Sequence, residues 1–534
     1  VIRYGIAAAI LALAIQPANA QQQQRRVQIS PYIEAGQVLA ADLGDGGDVL
    51  TYSTLGAGID ASVQTRRVQV QISYQYQHRF SYDKDLTDDN THSGLARAKA
   101  VVAPGLTLEA GAIATRTRSD IRGDAPQSFA GNTRNVSQVY SAFAGPSLAT
   151  HLGAAFVNAA YRFGYTKVEA PGATGVPANQ PRLDYYDDSK VHVATASVGV
   201  KSGTVLPVGI TASGSFTRED AGQLDQRFEG KYGRGDVVLP VARGVALTAG
   251  VGYEKIQISQ RDPVLNGIGD PVLDSRGRFV TDESSPRRIA YDLSGVFWDA
   301  GVIWRPSPRT FLEARAGRRY GSMSYTGSFS YQIGPGSGVQ IGVYDSVESF
   351  GQQLNGSLTT LPTAFVTTTD PFGNQFSGCI YGTVGSATGG CLNSIFASAV
   401  TSAYRARGVA GVAVLNRGNT RIGIGGGYAK RTFITPNVPG GFTLNGAEDE
   451  SIYGQLFAST DIGRNGQLSS SVFASYYNTD LPGNDGILGW GANTAYTHSF
   501  GHLGATISAG IFGFDRDGDS STSAQALLAL RYGF

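Results

Sequence analysis

Side chains able to do chemistry are few and scattered in this chain of 534 residues. Its two cysteines, Cys379 and Cys391, are separated by glycine-rich sequence. In an oxidising compartment such a pair reads as a disulfide. Closing a loop of about a dozen residues adds roughly 3 kcal/mol of local ordering. A metal site would need further ligands, and no histidine lies nearby; two free thiols are the remaining alternative. The histidines, His78, His92, His151, His192, His498 and His502, fall on unrelated predicted strands, loops and turns. There is no Gly-x-Ser-x-Gly nucleophile elbow and no His-Glu-x-x-His. Asp515, Asp517 and Asp519 start like a calcium loop, but the sixth-position glycine and the twelfth-position acid are absent, so a polar hairpin loop is the better reading. The expectation is a protein that is not an enzyme, with no cofactor and no metal.

Charges in alternation are more informative. Glu313, Arg315 and Arg319 alternate with Leu312, Ala314 and Ala316, and Glu254, Arg421 and Arg531 occupy comparable positions. On strands, these six would face a wet interior. There they either tune ion and solute selectivity or bond across the interior and stiffen the wall.

The elements that would carry them are strands. Val68–Phe80 reads VQVQISYQYQHRF, with Val68, Val70, Ile72, Tyr74 and Tyr76 on one face and Gln69, Gln71, Ser73, Gln75 and Gln77 on the other. Period-two alternation marks a strand with one apolar and one wet face, and about ten residues is the length a tilted strand needs to cross a bilayer core. The pattern recurs at Val245–Tyr253, Ile422–Tyr428 and Leu468–Tyr476. Breaks between such runs give about 22 strands, within a range of 18 to 22. Tight turns alternate with generally longer Asp-, Asn-, Gly- and Pro-rich segments, the asymmetry of outer-membrane barrels.

Composition agrees. The chain has 71 Gly, 26 Tyr and 24 Phe but only 2 Cys and 1 Met, and 41% hydrophobic residues. A barrel hides its lipid-facing residues in alternation, so its mean hydropathy looks soluble. The net charge of +1, with no basic stripe, excludes nucleic acid as a partner. A backbone in lipid must satisfy every N–H and C=O internally, which strands achieve by joining into a ring. The fold expected is all-β: a single transmembrane, antiparallel, up-and-down β-barrel without an N-terminal plug domain, which argues against a TonB-dependent receptor.

Residues 1–20 read as a cleaved signal peptide, with Arg3, an apolar run from Ile6 to Ile15 and Ala18-Asn19-Ala20 before the cut. Residues 21–27 read as a short polar periplasmic tail and 28–534 as the barrel, with a long loop at 350–402. That loop either caps the barrel or folds inward as a constriction, and Ser394–Ala403 is expected to hold one or two helical turns. Phe80, Tyr82, Trp298, Trp304 and Tyr320 are candidates for aromatic belts at the membrane boundaries. In the last strand Leu528, Leu530, Tyr532 and Phe534 share a face and end on an aromatic residue. This resembles the C-terminal signal by which the bacterial barrel-assembly machinery recognises its clients. The expected location is the outer membrane, and the expected partners are its lipid and that machinery.

The stretches SPYIEAGQVLAADL, TYSTLGAGIDASVQTRRVQVQISYQYQHRF and HSGLARAKAVVAPGLTLEAGAIATRTRSDIRG, with FSGCIYG…GGCLN and SAYRARGV, resemble an alphaproteobacterial, especially sphingomonad, outer-membrane β-barrel family. The resemblance covers nearly the whole mature chain. That family is associated with the exosortase/PEP-CTERM protein-sorting system, whose gene sets often include exopolysaccharide synthesis. Some relatives carry the label of a preprotein translocase accessory subunit of the YajC kind, a small protein held by one inner-membrane helix, which this chain does not match. The resemblance implies a conduit or accessory in exopolysaccharide or surface-protein export, with polysaccharide or periplasmic export components as partners. A passive porin-like channel is the alternative, and an outer-membrane hydrolase a more distant one.

Overall fold

The computed structural model describes residues 27–44, 49–82, 89–119, 136–170, 184–372, 375–383, 388–397, 399–436, 444–481, 486–516 and 519–534. The proposed signal peptide, most of the polar tail and Asp517 lie outside them.

The strands follow the chain. The first are β1 (Val27–Asp42), β2 (Val49–Gln64), β3 (Val68–Ser81), β4 (Asp89–Ala103) and β5 (Leu106–Arg118). Next come β6 (Val136–Leu152), β7 (Ala155–Glu169), β8 (Asp188–Val200), β9 (Gly209–Ala221) and β10 (Arg227–Ala242). Then follow β11 (Val245–Gln260), β12 (Arg288–Ser307), β13 (Thr310–Arg319), β14 (Ser322–Gly334) and β15 (Ser337–Glu348). An insertion holds helix α1 (Phe350–Thr360) and a small sheet of β16 (Phe365–Asp370), β17 (Gln375–Gly382) and β18 (Gly389–Cys391). The large sheet resumes with β19 (Ala403–Arg417), β20 (Thr420–Ile434), β21 (Glu448–Ile462) and β22 (Gly466–Thr479). It ends with β23 (Ile487–Phe500), β24 (Leu503–Arg516) and β25 (Asp519–Gly533). β1 begins at Val27, one residue inside the expected tail.

These form one antiparallel sheet of 22 strands. Neighbours in the chain pair with each other, β15 pairs with β19 across the insertion, and β1 pairs with β25 from Tyr32↔Gly533 to Asp42↔Ser523. The sheet thus returns on itself as a ring. The period-two pattern sets which way each side chain faces. Leu247, Val251 and Tyr253 of β11 are exposed on the outer surface, while Thr248 and Glu254 on the opposite face are buried. Ala526, Leu528, Leu530 and Tyr532 of β25 likewise face out.

One rim carries tight turns. At β10–β11 and β19–β20, Gly244 (φ 77°) and Gly418 (φ 60°) take the left-handed conformation that two-residue hairpins demand. The opposite rim carries longer connections, including 261–287 and 349–402. Among the described residues of that rim, Tyr320–Gly321 form a two-residue turn with both φ positive (53° and 77°).

Tyr320 therefore does not join an outer belt. Its ring lies under the guanidinium groups of Arg319 (4.8 Å) and Arg405 (5.2 Å) and packs against an inner cluster of Phe228, Ile256, Ile258 and Val347. Phe80, Tyr82, Trp298 and Trp304 are exposed on the outside as expected. The helical expectation shifts too. Ile395–Ala397 form a single 3-10 turn and Ala403 already starts β19, whereas the main helix is α1. Ser349 caps α1 by accepting from the Gln352 N–H at 3.2 Å. Phe350, Leu354 and Leu358, spaced at four, form its fully buried stripe.

Candidate functional site

The interior of the ring is where function must be sought, and the insertion occupies much of it. Inward side chains of β4–β7 (Leu95, Ile113, Val139, Phe143 and Val168) are apolar and pack with α1 in one buried cluster. The inner face is therefore not wet throughout; where α1 packs on β4–β7, apolar side chains line the inner face as well.

Polar contacts tie the insertion to the ring on several sides. Arg97 of β4 donates to the carbonyl oxygens of Leu361 (3.2 Å) and Thr359 (3.1 Å). Asn355 of α1 donates to Thr166 of β7 at 2.9 Å. Ser349 bonds to Glu219 at the end of β9. Tyr404 of β19 donates to Gln353 at 2.9 Å, Gln455 of β21 to Thr368 at 2.9 Å, and Tyr52 of β2 to the Phe372 carbonyl at 3.2 Å.

Cys379 and Cys391 are joined by a disulfide and are register partners on β17 and β18. Both sulfurs press on the wall at Gly425, where an added Cβ would lie 2.6 Å from each. Gly423 of the same strand accommodates the Tyr381 ring equally closely. The glycine run of β20 thus lets the insertion seat against the wall, which no strand pattern announces.

On β10–β13 the inner wall carries a charged ladder. Arg315 donates through Nη1 to Asp236 (2.8 Å) and Asp299 (3.0 Å) and through Nε to Glu313 (2.6 Å). Arg234 joins the same two aspartates at 2.6 and 3.0 Å. It reaches Asp299 across β11 because Gly250 leaves the space; a Cβ there would lie 2.2 Å from the guanidinium. Arg319 donates to Glu254 at 2.8 Å and stacks on Phe297 at 4.8 Å.

Of the six predicted inward charges, the structure brings Glu313 and Arg315 into one network and pairs Glu254 with Arg319. Arg421 and Arg531 also face inward but stand apart: Arg421 donates to Asn416 at 2.7 Å, and Arg531 to Asp60 at 2.7 Å, its guanidinium over the Tyr32 ring. Arg234, Asp236 and Asp299 were not foreseen. The alternation Tyr232, Arg234, Asp236 with Gly233 and Gly235 was the available signal. The histidines do not converge; His92, His192 and His498 pair with Tyr74 (2.7 Å), Tyr161 (2.8 Å) and Tyr496 (3.0 Å). Among the described residues no group of three or more His, Cys, Asp or Glu is placed to hold a metal ion, and no helix is long and apolar enough to cross a membrane.

No protein-family model matches the chain, and no curated protein matches it. Among solved structures it is similar to the siderophore receptor PiuA from Acinetobacter baumannii, at 9% identity over 94% of this chain and 82% of that one, with a TM-score of 0.44. It is also similar to the FrpB iron transporter from Neisseria meningitidis (F5-1 variant), at 10% identity over 95% and 82%, TM-score 0.42. A third is the ferric-catecholate import receptor Fiu from E. coli K12 in its closed form, at 9% identity over 94% and 82%, TM-score 0.43.

Proposed function

We propose that this chain is an outer-membrane β-barrel that acts as a gated conduit, or the barrel component of one, in the export of polysaccharide or surface protein. The observation that carries the gated reading is the insertion of residues 349–402, which fills much of the ring and is fastened to its wall. What supports the membrane placement is the outer surface. Trp298 and Trp304 are exposed six residues apart on β12, roughly 20 Å along the strand, with Ala300 and Val302 between them. On a strand tilted by about 35–45° that is about 15 Å of height, which fits inside an outward apolar band of about 25 Å. In this reading the signal peptide exports the chain and the barrel-assembly machinery inserts it by its last strand. The export role itself rests on the family resemblance.

Reconstitution in planar bilayers tests the gate. The expected result is a small current from the oxidised protein and a much larger one after reduction of Cys379–Cys391. A large, steady current before reduction would instead establish a passive porin-like channel. That second reading is favoured by Thr326 and Ser328 of β14, which face inward and are exposed. Deletion of the gene is expected to reduce surface polysaccharide or sorted surface protein; unchanged levels of both would end the export role.

A further inference from the structure

Two cavities, of about 360 and 370 Å³, lie between the wall and the insertion. The first opens beside the tight turns at Arg309 and Gly336 and reaches Gln340; the second begins at Gln340 and runs to Glu348. Every inward residue of β15 from Gly338 to Glu348 lines one or the other. Ten residues of strand span about 33 Å, the length with which a tilted strand crosses a bilayer core. The space is real on both sides of the passage. A Cβ built on Gly342 of the wall or on Gly356 of α1 would meet no atom within 4 Å.

We infer that the residual path through this barrel runs along β15, is narrowest at Gln340, and selects small uncharged hydroxyl-rich solutes of sugar size. The proposal rests on the conduit reading above and names the route and the solute. The lining carries the argument. Ser330, Gln332 and Gln340 of the first cavity, and Ser346 and Gln353 set among the apolar side chains of Leu361 and Leu392 in the second, offer hydroxyls and amides, each able both to donate and to accept. Such groups can replace the water around a sugar hydroxyl without a net charge to balance. Among the described residues, Arg309 is the one charged residue lining the first cavity and Glu348 the one lining the second, at opposite ends. An ion passing Gln340 would lose hydration with no fixed countercharge beside it, which is costly. The charged ladder on β10–β13 lies outside both cavities, and its members are largely paired with one another.

The test is efflux of trapped radiolabelled glucose and gluconate, similar in size but differing in charge. The oxidised full-length protein is reconstituted in vesicles of phosphatidylcholine and phosphatidylglycerol, with insertion verified by heat-modifiable gel mobility. Glucose is expected to leave several-fold faster than gluconate. Gly342→Trp should slow glucose several-fold, while Ser213→Trp, on the inner face of β9, should not. Should the tryptophan variant fail to assemble, Gly342→Cys serves instead, its glucose efflux falling when a bulky thiol reagent is attached. Glucose efflux that both Gly342 variants leave unchanged, or gluconate efflux as fast as glucose, overturns the route or its selectivity while leaving a conduit in place. No efflux of either solute, before or after reduction, sinks the conduit reading and the route together.

Discussion

The side-chain amide of Gln71 binds both backbone groups of Phe365. Its Nε2 donates to the Phe365 carbonyl at 2.7 Å, and its Oε1 accepts from the Phe365 N–H at 2.8 Å. A wall glutamine thus acts as a one-residue strand against the exposed edge of β16. Two residues away, Gln69 accepts from the Thr363 hydroxyl at 2.8 Å. The wet face of β3 is a docking rail for the insertion.

Gln71→Ala leaves the Phe365 N–H and C=O without their partner inside the ring, at a cost of about 1–3 kcal/mol. The loss should appear in the docked segment and not in the ring. Amide exchange at Phe365 is expected to speed up by one to two orders of magnitude, with the thermal transition of the barrel unchanged. An exchange rate equal to that of the unmodified protein would contradict the docking role.

The disulfide makes a second, separable contribution. It closes Cys379 to Cys391, a separation of 12 in the sequence, and holds β17 and β18 in register where they meet Gly425. Cys379→Ser with Cys391→Ser should cost roughly 3 kcal/mol of local ordering in the insertion. Limited proteolysis in detergent is expected to nick residues 375–392 in the double variant and to spare them in the oxidised protein. Equal protection of both would show that the wall contacts alone hold the insertion.

Arg431 and Asp449 form the most deeply buried ion pair described, with side chains 3% and 2% exposed. Arg431 Nε donates to Asp449 Oδ1 at 2.9 Å, and the Tyr477 hydroxyl donates to Asp449 Oδ2 at 2.8 Å. Removing one partner leaves the other charge buried and uncompensated. Asp449→Ala should therefore destabilise the protein by about 3–5 kcal/mol, whereas the double change Arg431→Met with Asp449→Leu should recover most of it. Denaturant midpoints in detergent check both. A double variant as unstable as the single one would show that the pair does more than cancel its own burial.

The ring was largely legible because its rule is local. Alternation marks Val68–Phe80, and the structure has the strand at Val68–Ser81; the same rule marks the last strand. The insertion was not, for two physical reasons. Its glycine, serine and threonine content imitates a solvated loop, and its stabilising contacts are remote in sequence, as Gln71 with Phe365 illustrates. One signal was present all the same: Phe350, Leu354 and Leu358 behind Ser349 spell a capped amphipathic helix. The inner apolar residues Ile113, Val139 and Phe143 blur the alternation of β5 and β6 because they face the insertion and not water.

Asp184, on the connection before β8, ties three parts of the longer-connection rim to the insertion's end. Its Oδ1 accepts from the Gln223 amide at 2.7 Å and from the Phe279 N–H at 3.1 Å, and its backbone oxygen accepts from the Thr401 N–H at 3.3 Å. Complete burial pushes its carboxyl up to about 7, against the opposing pull of those two donors and of Arg278 nearby. Arg278 is itself held by Asp187 and Asp274. In an opened rim the carboxyl returns to about 3.9. Between these two values the closed form holds a proton that the open form lacks, so closure is strongest at low pH and weakens as pH rises toward 7, with no further change above. Amide exchange at Phe279 and Thr401, corrected for the intrinsic rate, should therefore accelerate from pH 5 to pH 8. Asp184→Asn keeps the carbonyl acceptor without the titrating proton and should flatten that dependence. A rim that tightens as pH rises, or an asparagine variant with the original slope, would show that another group governs the contact.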